Sequence, residues 1–91
     1  MTQTGPARAY KLEIAPRAEK AIVALDRPDR DRVTRALDRL CDDPFSASSV
    51  KALAGGGYRL RVGDVRVLYE VRRHQLVVLV VAVGHRREVY R

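Results

Sequence analysis

The chain changes its hydrophobic period twice. Residues 10–14, Tyr-Lys-Leu-Glu-Ile, alternate apolar and charged side chains, as a half-buried strand does. From Pro16 the period lengthens. Ala18, Ala21, Ile22 and Leu25 recur at i, i+3, i+4 and i+7, an apolar stripe on a helix whose first turn suits proline. Arg27-Pro28 interrupts that helix, because proline disfavours helical backbone in the residue before it. Pro28 then opens a second helix, with Asp29 and Asp31 in the turn where the helix dipole favours acids. Val33, Ala36, Leu37, Leu40 and Cys41 form its stripe, and Asp42-Asp43-Pro44 ends it. So short a link predicts an antiparallel helix hairpin with both apolar faces turned to a sheet.

Residues 43–57, with three serines and three consecutive glycines, read as a mobile loop. From Tyr58 the period becomes two. The pattern predicts a strand over 58–62, a two-residue Gly63-Asp64 turn, a strand over 65–71, a turn at Arg72-Arg73-His74, and a strand over 75–83. The last of these is apolar on both parities, which marks a central strand covered on both faces, and Gly84 releases a tail. The expected fold class is therefore α+β. An N-terminal strand, a helix hairpin and a three-stranded antiparallel meander place two helices on one face of a four-stranded sheet. Residues 1–91 make a single domain, with 1–8 a loose lead-in.

Charge changes this picture, because it is not spread evenly. Residues 1–50 hold nine Lys/Arg and eight Asp/Glu; residues 51–91 hold nine and three. The second half thus carries +6 of the chain's net +7, and the sequence pI is near 10.3. Such a region suits a polyanionic partner. Cys41 is the only cysteine, so no internal disulfide forms and a reducing setting is expected. The longest apolar run, 76–83, is too short to span a bilayer, and residues 1–9 lack an apolar signal segment. These features predict a soluble, cytoplasmic protein with no membrane partner. Two distant histidines and no acid cluster make no metal site and call for no cofactor.

The basic residues fall on one face of the predicted hairpin. A two-residue loop at Gly63-Asp64 sets Arg61 opposite Arg66 and gathers Arg59, Arg61 and Arg66 on the face away from Leu60, Val62, Val65 and Val67. Like charges directly opposite each other oppose folding. At about 5 Å the repulsion is roughly 1 kcal/mol in water and about 3 kcal/mol near a partly shielded surface. No acid sits across from them, and such local inconsistency marks functional sites. An anion bridging the guanidinium groups would reverse the sign. The alternative is a solvated strand face. His85, Arg86, Arg87 and Tyr90 follow the last strand and can approach the same arginines.

The residues Tyr58-Arg59-Leu60-Arg61-Val62-Gly63-Asp64-Val65-Arg66-Val67-Leu68-Tyr69-Glu70-Val71 and Val83-Gly84-His85-Arg86-Arg87-Glu88-Val89-Tyr90 resemble the RelE-type toxins of the RelE/ParE toxin–antitoxin superfamily. The resemblance spans nearly the whole chain. It implies a metal-independent endoribonuclease that cleaves mRNA in the ribosomal A site. It also implies inhibition of translation until a cognate antitoxin neutralises it, and operator DNA contacted only through the antitoxin complex. By the same resemblance the family's site residues fall on Arg59, Arg61, Arg66, Arg86 and Tyr90, with Arg66, Arg86 and Tyr90 expected to be catalytic and Arg59 and Arg61 to bind RNA phosphate. His85 and Arg87, which follow the last strand toward the same arginines, join the expected phosphate-binding set. The family usually has a lysine where this chain has His85, and the tail between Arg86 and Tyr90 is shorter than in some members.

The chemistry fits these residue types. RNA carries its own nucleophile, the 2′-hydroxyl, so catalysis needs positioning, charge stabilisation and proton transfer. Arginine forks donate two hydrogen bonds to phosphate and stay charged. Tyr90 is a base, an acid or a stacking platform; as a base it needs arginines to lower a phenol pKa of about 10. His85 is a further candidate for proton transfer. Two other functions compete. One is a ParE-like inhibitor of DNA gyrase without nuclease activity. The other is a plain nucleic-acid-binding module, whose RNA binding weakens with salt at a slope of about −0.7 per contacted phosphate.

Overall fold

A computed structural model describes residues 9–45 and 47–85. Its elements are β1 (Lys11–Ile14), α1 (Pro16–Ala24), α2 (Arg27–Asp42), β2 (Val50–Ala52), β3 (Tyr58–Val62), β4 (Val65–Arg72) and β5 (Val77–His85). The α+β reading holds, with one correction to the sheet. It has five strands in the order β1-β5-β4-β3-β2, not four, so the spatial order does not follow the chain.

The extra strand, β2, lies inside the stretch expected to be a loop. Three residues, Val-Lys-Ala, are too few to show a period, and serines and glycines flank them. What makes them a strand is the neighbouring edge. Val50, Lys51 and Ala52 pair antiparallel with Leu60, Arg59 and Tyr58. Arg61 N–H also donates to Ser49 O at 3.0 Å and Leu53 N–H to Gly57 O at 3.0 Å. Gly56 (φ 102°) and Gly57 (φ 81°) supply the left-handed backbone that returns the chain to β3.

The helices form where the stripes place them. Pro16 begins α1, and Asp26 caps α2 by accepting the Asp29 N–H at 3.2 Å. Only Leu25 and Asp26 separate the two helices. Val33, Ala36, Leu37, Leu40 and Cys41 are all buried on α2. With Ala18 and Leu25 of the first helical segment they join Leu60, Val65, Val67, Tyr69, Val78, Val80 and Val83 of the sheet in one core. Both helices therefore cover one face of the sheet. Cys41 is buried within that core, and its thiol donates to Leu37 O at 3.5 Å.

The β3–β4 hairpin has the predicted register: Val62 opposite Val65, Arg61 opposite Arg66, Leu60 opposite Val67. Gly63 has φ 60° and Asp64 is not among the positive-φ residues, the pattern of a type II′ turn, which requires glycine first. β5 starts and ends two residues later than predicted. Leu76 takes a left-handed φ of 56° in the preceding turn, and Gly84 lies within the strand instead of ending it. β5 runs between antiparallel β4 and parallel β1, so it is an interior strand. Among the described residues no helix is long and apolar enough to cross a membrane.

Candidate nucleic-acid interface

β3 and β4 each present arginines on the parity opposite the core. Leu60 and Val67 point to the helices, so the alternating residues Arg59, Arg61 and Arg66 project from the other face. The pairing brings two of them close. Arg61 sends its N–H toward β2, to Ser49 O. Its pairing with Arg66 is therefore of the non-hydrogen-bonded kind, where opposing Cα atoms are only about 4.5 Å apart.

The three arginines differ in environment. Arg61 is exposed and Arg59 is half-buried. Arg66 is 7% exposed, the one charged side chain among the buried residues described. Its Nη1 donates to Gly63 O at a long 3.4 Å, and its buried Nε has no hydrogen-bond partner. A buried donor left in this state costs about 1–3 kcal/mol, and more when the group is charged.

Among the described residues, Glu70 and Asp64 sit away from the Arg61/Arg66 pair. Glu70, farther along β4, pairs with Arg72 at 3.1 Å. Asp64 is in the turn, at the hairpin tip. The positive charge is thus concentrated at the Arg61/Arg66 level.

A β-bulge sets what lies beside Arg66. Leu68 pairs with Ala82, but Tyr69 pairs with Val80, so Val81 is the extra residue. Past the bulge the parity of β5 inverts. Val78 and Val80 face the core before it and Val83 faces the core after it. The residue opposite Arg66 is consequently Gly84. Without the extra residue it would be Val83. Glycine adds no side chain at that position. The sequence hid this feature, because an apolar run on both parities gives no sign of where the register slips.

The remaining sequence-derived site residues fare differently. His85 pairs with Val65 and so has the parity opposite to Gly84 and Arg66; it is exposed at the strand end. Arg86, Arg87 and Tyr90 lie outside the described residues. The register also adds a residue that the sequence reading passed over. Lys51 of β2 is the partner of Arg59 and shares its face. Its signal was weak: a single lysine in a stretch rich in turn formers.

The comparisons agree with this architecture. The family model described as the ParE toxin of the type II toxin–antitoxin system parDE matches residues 12–90. A substituted form of the Escherichia coli toxin RelE in the free state is 30% identical, over 90% of both chains, with a TM-score of 0.74. The toxin of the intact E. coli RelBE toxin–antitoxin complex is 28% identical, over 85% of this chain and 96% of that one, with a TM-score of 0.73. A chain of the archaeal RelE–RelB complex from Pyrococcus horikoshii OT3 matches in fold, with a TM-score of 0.74 at 24% identity, over 88% and 98% of the two chains. No match was found among curated proteins. A family match over residues 12–90, together with the fold shared with RelE, means that the chain belongs to the RelE/ParE superfamily of toxins from type II toxin–antitoxin systems.

Proposed function

We propose that this toxin is a ribosome-dependent endoribonuclease that cleaves mRNA in the A site. The observation that carries the proposal is Arg66. It is a nearly buried guanidinium with an unpartnered Nε, set against a second arginine and across from a glycine. A phosphodiester supplies the acceptors that Arg66 lacks and the negative charge that the Arg61/Arg66 pair calls for.

In the proposed reaction the 2′-hydroxyl attacks the adjacent phosphorus in line. The P–O5′ bond breaks, leaving a 2′,3′-cyclic phosphate and a 5′-hydroxyl. One proton leaves the 2′-oxygen and one reaches the departing 5′-oxygen. Arg66 and Arg86 stabilise charge on the phosphorane, Arg59 and Arg61 hold the backbone, and Arg87 makes an outer phosphate contact. His85, whose parity is opposite to that of Arg66, takes no part at the Arg61/Arg66 phosphate. Tyr90 moves a proton or stacks on a base. Removing one group aimed at developing charge typically costs 10²–10³-fold in turnover. Arg66→Ala and Tyr90→Phe should therefore fold and lose A-site cleavage, read by primer extension on translating ribosomes. Full cleavage by both variants would refute the assignment.

The E. coli and P. horikoshii neighbours were solved as toxin–antitoxin complexes. By that likeness this chain has a cognate antitoxin. An acidic or amphipathic segment covering the arginine face is the economical way to silence it. A second reading, a gyrase inhibitor without nuclease activity, draws support from the ParE description of the matched family.

A further inference from the structure

The basic face does not stop at β4 and β3. Two rows of side chains cross the sheet on this face. One runs Arg61, Arg66, Gly84, and the other runs Lys51, Arg59, Leu68, Ala82. The rows are two residues apart along β3, or about 6.6 Å at strand rise. That separation resembles the step between neighbouring phosphates of an extended single strand. Each row contains a pair of cations with no acid between them. Lys51 is exposed on the outermost strand, and β2 is held by its pairing with β3 and by Val50 packed against the core.

We propose that Lys51 is a phosphate-binding residue. It and Arg59 grip the phosphate next to the one held at Arg61 and Arg66, so that the RNA backbone runs along β3 across two rows. This rests on the reading of the arginine face as an RNA surface. It adds the path of the strand and a contact from a segment that the sequence alone presents as a loop. An edge lysine suits a flanking position, since its compact charge on a flexible stem tolerates varied geometry better than the planar guanidinium.

The test is binding of a single-stranded RNA oligonucleotide, followed by fluorescence anisotropy across a salt series in the absence of ribosomes. Each contacted phosphate contributes about 0.7 to the slope of log K against log salt. Lys51→Ala should lower the slope by about that amount and weaken binding severalfold at low salt. Lys20→Ala, which removes an exposed lysine from α1, should match the wild type. A merely structural lysine would not change the slope. The assignment is overturned if the Lys51→Ala slope equals the wild-type slope, or if the wild type shows no salt-sensitive RNA binding. Cleavage is measured separately on ribosomes. A protein that binds with the Lys51-dependent slope and never cleaves keeps this assignment and loses the nuclease reading.

Discussion

Arg66 and Tyr69 sit three residues apart on one strand and show opposite treatments of a buried polar group. Tyr69 is 1% exposed and fully served. Its hydroxyl donates to Pro44 O at 2.6 Å, and its ring stacks on Tyr58 with centroids 5.5 Å apart. Tyr58 in turn meets Phe45 edge-on, and Arg73 lies over the Phe45 ring at 4.4 Å. This chain of contacts ties the segment after α2 to the sheet. Arg66 has no such service, which is why it reads as part of a site and Tyr69 as part of the core. Tyr69→Phe should cost about 1–3 kcal/mol, because it strands a buried carbonyl, and should leave cleavage unchanged. Burial, with Tyr58 and Asp43 adding to it, holds the Tyr69 phenol far above its ordinary value. The folded-state pKa is raised, so its contribution to stability is complete below about pH 10 and is lost as pH rises beyond that. Thermal melts above pH 10 should fall more steeply for the wild type than for Tyr69→Phe.

At the scale of elements, two devices build the site: the II′ hairpin and the β5 bulge. The hairpin was legible in the sequence, because Gly63-Asp64 between alternating runs specifies turn, register and face together. The helix stripes were legible for the same reason, a period sustained over several turns. The bulge was not, since 77–83 is apolar throughout and offers no polar residue to mark the slip. Nor was β2, whose three residues become a strand only by pairing with an edge that local sequence cannot foresee. Its return to β3 depends on Gly57, where a Cβ would stand 3.2 Å from Tyr69 O and φ is +81°. Gly57→Ala should therefore cost roughly 1–2 kcal/mol from the left-handed backbone alone. Because β2 holds Lys51 in register, the same variant should also weaken RNA binding. Denaturant melts paired with anisotropy would show both losses; unchanged values for both would remove β2 from the account.

Across the whole molecule, charge and packing are segregated by face. The helices cover the side with Val65, Val67, Tyr69 and Val80, and the cations Lys51, Arg59, Arg61 and Arg66 occupy the other. The charge asymmetry between the two halves of the sequence is the one-dimensional shadow of this arrangement. The hairpin contribution to the proposed site was thus readable in advance. The contributions of Arg86, Arg87 and Tyr90 lie outside the described residues and rest on proposal. RelE-like nuclease and ParE-like inhibitor share this scaffold, so the decision between them belongs to the target. The most direct measurement applies the purified wild-type toxin in parallel to translating ribosomes, read by primer extension, and to gyrase, read by supercoiling. The account predicts cleavage of mRNA within the A site and undiminished supercoiling. Intact mRNA together with blocked supercoiling would contradict it.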